Sequence, residues 1–295
     1  MRFEKWQALG NDYVIVELDE LPFEPTRARI RRLCESHFGL GSDGVLLLSP
    51  ASDPDHVADL RIFNPDGSEA ELSGNGAREA IMYLRRRGFT DRDEFAIGTL
   101  AGEIRPTITG PDTCRVDMGR ASLHSKDFPD GPEDGLAEVR AAGRTWPFRH
   151  VSIGNPQCAI HVGSLAELER LDLAEIGPEI EASPIFPNRT NVSWFTELER
   201  APSGDAATIR ARIFERGVGE TLSSGTGATG AAVAFALEDG RPDLPASVTV
   251  ALDGGELEVE VASDLTVQLT GWARPVYEGR LSEDLIDELK EFDET

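Results

Sequence analysis

Arg61-Ile62-Phe63, followed ten positions after Phe63 by Ser73-Gly74-Asn75-Gly76-Ala77, recurs as Arg212-Ile213-Phe214, followed at the same interval by Ser224-Gly225-Thr226-Gly227-Ala228. The offset is 151 throughout, about half of the 295 residues. At an offset of 144, Gly10-Asn11 followed by Val14, Ile15 and Val16 has its counterpart in Gly154-Asn155 followed by Ile160 and Val162. Leu100-Ala101-Gly102-Glu103-Ile104 likewise echoes Leu252-Asp253-Gly254-Gly255-Glu256-Leu257, with one residue inserted. Matches kept in order across both halves identify two copies of one structural unit.

Within each copy strands predominate. Val248, Val250 and Leu252, then Leu257, Val259 and Val261, alternate with polar residues around Asp253-Gly254-Gly255, the pattern of a hairpin. Each copy has one strong helix directly after its serine-glycine motif. The first is expected over Asn75 to Arg87 with a stop at Gly88, and the second over Ala228 to Leu237, before Glu238-Asp239-Gly240. The second helix is apolar nearly all round and must be surrounded by protein. A sheet wrapped around a central helix does this most simply. The fold expected is therefore α+β: two pseudo-symmetric domains, each a mostly antiparallel, β-barrel-like sheet around a helix. Residues 1–118 with 275–295 should form one domain and 119–274 the other. Ser282 followed by Glu283, Asp284, Leu285, Ile286 and Leu289 reads as a capped surface helix.

The chain carries 53 acidic against 29 basic residues, a formal charge of −24, so nucleic acid is excluded as a partner by repulsion. Lysine occurs only at Lys5, Lys126 and Lys290, and this acidic, arginine-rich composition suits concentrated salt. The start of the chain lacks an apolar signal segment and no apolar run is long enough to span a membrane, so a cytoplasmic protein without membrane association is expected. Cys34, Cys114 and Cys158 lack the spacing of a zinc or disulfide framework, and the five histidines lack ligand spacing. No metal is expected.

A serine before Gly-x-Gly-Ala at a helix start caps the helix and aims unpaired N–H groups and a positive dipole end at whatever lies in front. Capping and a tight turn would explain either motif alone; the duplication adds the prospect of two helix N-termini serving one small-molecule cleft. The segments leading into the motifs, Asn64-Pro65-Asp66-Gly67-Ser68-Glu69 and Glu215-Arg216-Gly217-Val218-Gly219-Glu220-Thr221, supply polar groups suited to a ligand with a carboxylate and an ammonium.

Gly10-Asn11-Asp12-Tyr13, Asn64-x-Asp66-Gly67-Ser68-Glu69, Gly74-Asn75-Gly76-Ala77-Arg78, Gly154-Asn155-Pro156, Arg189-Thr190-Asn191-Val192 and Glu215-Arg216-Gly217-x-Gly219-Glu220-Thr221 together resemble the diaminopimelate epimerase family over essentially the whole chain. The resemblance implies interconversion of LL- and meso-diaminopimelate on the route to lysine, with an amino-acid substrate and no cofactor. It places the substrate shell at Asn11, Asn64, Asn155, Asn191, Glu215 and Arg216, with backbone from Gly74, Asn75, Gly225 and Thr226. The family's two catalytic cysteines fall on Ser73 and Ser224, and the histidine that usually follows Gly-Asn-Pro is Gln157. Gly44 stands where many members carry a polar side chain. Another isomerase or a lyase on the same scaffold, and a non-catalytic amino-acid-binding relative, stay open as alternatives. A homodimer stays open as the assembly.

Overall fold

The computed structural model describes residues 1–71, 73–202, 206–238 and 244–292. The chain divides into two compact units, Met1–Val116 with Gly271–Thr295, and Asp117–Thr270.

The first unit contains β1 (Arg2–Ala8), β2 (Asn11–Glu17), helix α1 (Arg27–Cys34), β3 (Val45–Ser49), β4 (His56–Phe63), β5 (Glu69–Ala70), helix α2 (Gly74–Arg87), β6 (Ala96–Thr99), β7 (Gly102–Ile104), β8 (Thr107–Ile108) and the start of β9 (Thr113–Arg120). The second holds β10 (Leu136–Ala141), β11 (Arg144–Ser152), β12 (Pro156–His161), helices α3 (Leu165–Leu168) and α4 (Leu173–Glu181), β13 (Asn191–Arg200), β14 (Ala206–Glu215), β15 (Gly219–Thr221), helix α5 (Gly225–Ala236), β16 (Ala246–Leu252), β17 (Gly255–Val261) and most of β18 (Thr266–Trp272). The chain then returns to the first unit through β19 (Arg274–Arg280) and helix α6 (Glu283–Glu291).

The duplication is visible in the pairing. The first sheet runs β19-β1-β2-β3-β4-β6-β7, with β5 on β4, and the second repeats this as β10-β11-β12-β13-β14-β16-β17, with β15 on β14. Even the exceptions recur. The parallel pairs β2–β3 and β4–β6 have β12–β13 and β14–β16 as equivalents, and the neighbouring pairs are antiparallel. The hairpin read at Asp253-Gly254 joins β16 to β17 with Leu252 opposite Gly255, and Thr99 opposite Gly102 gives the same connection between β6 and β7.

Each central helix forms where the sequence places it. Helix α2 starts behind Ser73 and ends at Gly88, whose φ of 77° provides the left-handed C-cap. Helix α5 starts behind Ser224 and has Leu237 as its C-cap; Asp239 and Gly240, expected to stop it, lie outside the described residues. All of α5 but Thr226 is buried, and it packs against β11, β12, β13, β14, β16 and β17. Its Ala- and Gly-rich surface lets six strands approach closely, at the cost of weak intrinsic helix preference at its glycines. In the first unit α2 packs against β1, β2, β3 and β19 on one face of the sheet. The opposite face is closed by α1 and α6, whose Ile30, Leu33 and Leu289 join Val14, Val16, Val45 and Leu47 in one cluster. Because strand side chains alternate, Val14 and Val16 facing that cluster put Tyr13 and Ile15 on the side of α2.

Glu79 on α2 is fully buried, and burial raises its carboxyl well above the usual carboxylate range despite the neighbouring Arg78. Its neutral form is the one the fold accepts, so its contribution is complete below its unfolded value near 4.5 and is lost as pH rises toward the folded value. Glu79→Gln should therefore gain on the natural protein as the pH is raised from 4.5 toward neutrality, with a slope approaching about 1.4 kcal/mol per pH unit. Denaturant unfolding of both proteins across that range checks this, and parallel stability curves would refute it.

Candidate functional site

Each unit builds the same constellation from the same parts: a Gly-Asn turn, a serine N-cap and the first turn of the central helix. The turns need glycine, because Gly10 and Gly154 have φ of 85° and 83°, which side-chain-bearing residues rarely adopt. In the first unit Asn11 lies beside α2, where Asn75 Nδ2 donates to Asn11 Oδ1 at 3.1 Å. In the second, Asn155 Nδ2 donates to Thr226 Oγ1 at 3.2 Å. Asn75 and Thr226 are equivalent positions of the repeat, so the same turn-to-helix link is made twice with different donors.

The serines are N-caps in both copies. Ser73 Oγ accepts from Gly76 N at 3.1 Å and Ser224 Oγ from Gly227 N at 3.2 Å. With the first helical N–H groups beside them, each serine sits at the positive end of its helix, where developing negative charge is stabilised.

Around the serines the copies differ. Ser224 Oγ donates to Glu215 Oε2 at 2.9 Å, and the other carboxylate oxygen accepts from Thr221 Oγ1 at 2.9 Å. Asn64, the repeat equivalent of Glu215, is engaged within its own turn, donating to Ser68 Oγ at 3.0 Å. Ser73 Oγ instead lies 3.3 Å from the Tyr13 hydroxyl, which donates to it. Ser224 is almost fully buried, whereas Ser73 is partly exposed.

Of the residues singled out in the sequence, Asn11, Ser73, Gly74 and Asn75 come together in the first unit. Asn155, Glu215, Ser224, Gly225 and Thr226 do so in the second. Asn191 is tied into the second group by accepting from Arg216 N at 2.9 Å and donating to Pro156 O at 3.3 Å. The Arg216 side chain is exposed and donates to Asn188 O at 2.8 Å. Gln157 is fully buried and donates to Asn155 Oδ1 at 2.9 Å, holding the amide that reaches Thr226.

Three residues have supporting roles that the sequence does not assign. Asp43 accepts from Asn11 Nδ2 at 2.8 Å, Thr221 fixes Glu215, and Arg78 is wholly buried beneath the start of α2. The Arg78 guanidinium donates to Gly74 O at 3.0 Å and to Asn75 Oδ1 at 2.6 Å. Only Asp12, beside Asn11, shows a shifted carboxyl in the turn itself. Burial raises it, against the pull of Lys5, whose ammonium is 3.1 Å away.

Solved structures share this fold of two similar α+β units. The structure is similar over 96% of its length to a phenazine biosynthesis protein of the PhzF family from Bacillus anthracis (TM-score 0.71, 19% identity, 99% of that chain). It is similar over 98% of its length to a probable proline racemase from Agrobacterium radiobacter (TM-score 0.68, 18% identity, 95% of that chain). At the level of sequence, the diaminopimelate epimerase model matches residues 3–124 and 149–275. The chain is 40% identical over 289 residues to a diaminopimelate epimerase from Desulforudis audaxviator, covering 95% of this chain and 99% of that one. It is 37% identical over 290 residues to diaminopimelate epimerase 2 from Nostoc sp., covering 97% of each. The chain belongs to the diaminopimelate epimerase family, whose members are isomerases. Among the described residues, no helix is long and apolar enough to cross a membrane.

Proposed function

We propose that this protein interconverts LL- and meso-diaminopimelate by moving a proton at the α-carbon, with Ser73 and Ser224 in the acid and base positions and without a cofactor. The observation that carries this reading is the Ser224–Glu215 pair: a hydroxyl at a helix N-terminus whose proton already points at a carboxylate 2.9 Å away. A serine hydroxyl is a far weaker acid than a thiol, whose reference pKa is about 8.5, so it acts as a base only if its own proton has somewhere to go. Glu215 is that acceptor. As the α-proton passes to Ser224 Oγ, the serine's proton passes to Glu215, which becomes the neutral acid, and no alkoxide is left behind.

In this reading backbone N–H groups of Gly74, Asn75, Gly225 and Thr226 bind the substrate carboxylate, and Asn64, Asn191 and Glu215 bind its ammonium. Asn11 and Asn155 hold the helix starts in position and Arg216 contributes charge near the distal carboxylate. The acidic surface and the scarcity of lysine support work in the cytoplasm of a cell rich in salt.

Incubation of the purified protein with LL- and meso-diaminopimelate in D₂O at high salt tests the reading. Deuterium is expected at the α-carbon, together with appearance of the other stereoisomer. Binding of diaminopimelate without α-deuteration would leave an amino-acid-binding relative, and neither binding nor deuteration would remove the assignment of substrate.

A further inference from the structure

We infer that Tyr13 is the proton-donating partner of Ser73, so that the two copies of the domain carry opposite proton polarity: a donor beside one serine and an acceptor beside the other. The inference rests on the acid–base positions proposed above for the serines.

The repeat makes the comparison. Position 13 is equivalent to 157 by the 144 offset, and position 64 to 215 by the 151 offset. In the second copy the residue at the later position, Glu215, takes the serine's proton, while the residue at the earlier one, Gln157, is turned to Asn155. In the first copy these assignments are exchanged. Asn64 is occupied by Ser68, and Tyr13 reaches the serine with its hydroxyl at 3.3 Å. Both hydrogen bonds at Ser73 Oγ, from Tyr13 and from Gly76 N, use the oxygen as acceptor. Ser224 Oγ, in contrast, donates to a carboxylate.

The Tyr13 ring is 5% exposed and is held where it is by the lack of a side chain at Gly44, since a Cβ there would lie 2.6 Å from Tyr13 Cε1 and 2.2 Å from Phe63 O. The departure at position 44 thus makes room for the phenol that faces Ser73.

The chemistry follows from relative acidity. When Ser73 Oγ–H gives its proton to the α-carbanion, a C–H bond forms and an alkoxide would remain. Transfer of the Tyr13 hydroxyl proton to Ser73 Oγ restores the serine and leaves a phenolate, whose conjugate acid has a reference pKa of about 10. Across one inversion Glu215 gains a proton and Tyr13 loses one. The reverse reaction, or exchange with water, returns both. Tyr13 acts through Ser73 and is a positioning residue and proton reserve, not a group in contact with substrate.

A thiol at position 73 reads this polarity without any need for turnover. The natural cysteines are buried, with burial pushing Cys34 up to about 11 and Cys114 to about 12 and holding Cys158 well above the usual thiol range, so alkylation of Ser73→Cys by iodoacetamide is selective for the partly exposed new thiol. A phenol donating to a thiolate stabilises it, so adding Tyr13→Phe should raise the thiol's pKa by about one unit and cut its reactivity near neutral pH roughly tenfold. Near-ultraviolet circular dichroism confirms that the phenylalanine ring keeps its packing. An unchanged alkylation profile in a folded double variant overturns the inference. In the protein with Ser73 intact, Tyr13→Phe should lower α-deuteration and flatten the alkaline limb of its pH profile. Loss of α-deuteration in the natural protein itself would defeat the proposed epimerisation while leaving the thiol result, and the polarity it reports, in force.

Discussion

Replacing Ser73 and Ser224 together by cysteine is expected to raise the rate of α-proton exchange by on the order of 10²-fold, the lower end of what a well-matched general acid or base contributes. Each serine oxygen already lies at a helix N-terminus with a backbone N–H donated to it, at 3.1 Å from Gly76 and 3.2 Å from Gly227. A thiolate placed there meets a preformed anion site, and the helix end lowers its pKa toward neutrality. Either single replacement should gain less, because one face of the α-carbon would keep a hydroxyl. Gln157→His should add to the double replacement and do little alone. Its ring would have to occupy the space where Gln157 Cβ and Cγ lie against Gly230, at 2.7 and 2.8 Å from a Cβ built there. The measurement is α-deuteration of LL-diaminopimelate by each variant under one set of conditions. A double variant that binds the amino acid but exchanges no faster than the natural protein would reduce Ser73 and Ser224 to helix caps.

Arg78→Ala should cost about 3–5 kcal/mol of folding free energy, because two buried acceptors lose a charged donor, at about 1–3 kcal/mol each, and a large buried side chain leaves a cavity. Arg78 is wholly buried beside the equally buried Glu79, and its guanidinium satisfies both Gly74 O and Asn75 Oδ1. Truncation leaves these acceptors and a cavity in the centre of the first unit. Arg78→Lys should recover only part of the loss, because one ammonium cannot replace a planar fork that reaches two acceptors. Since Asn75 in turn donates to Asn11, ligand affinity should fall along with stability. Denaturant unfolding decides the matter, and a loss under about 1 kcal/mol, typical of a surface change, would show that the guanidinium is dispensable there. Arg216, exposed and donating to a single carbonyl, is expected to affect ligand binding far more than folding.

The architecture was legible because the chain repeats itself. Ser73 and Ser224 announce their helices through cap, glycine turn and apolar face, all of which are local signals, and Gly88 ends the first of them through its left-handed conformation. The alternation around Asp253-Gly254 similarly yields the β16–β17 hairpin. Position in a motif was also enough to place Asn11, Asn75, Asn155, Thr226 and Glu215 near the serines. Reach was not legible. Arg78 reads as a residue past the glycine turn, yet its long side chain folds back under the helix start, and no spacing rule reports that. Asp43 comes to Asn11 from a separate loop 32 residues away, and the partnership of Tyr13 with Ser73 spans 60 residues. The difference between the two serine environments therefore comes from unlike residues at equivalent positions, Tyr13 against Gln157 and Asn64 against Glu215, of which the contact of Tyr13 with Ser73 needs long-range packing to be seen.

The return of the chain to its first unit has a consequence for how the molecule is made. Strand β1 pairs with β19 from Arg2 opposite Arg280 to Gln7 opposite Arg274, and the N–H of Leu281 donates to the carbonyl of Met1. The outer cluster of that unit also includes Leu281 and Leu289 beside Met1 and Phe3. During synthesis the first unit therefore emerges with an unpaired β1 edge and an uncovered apolar face. It stays so until β19 and α6 have been synthesised. The second unit, Asp117–Thr270, is continuous in sequence and holds its own helix and sheet, so it can complete its core while the first still waits. The unit synthesised first is thus expected to close after the second, with its β1 edge open to unwanted pairing in the interval.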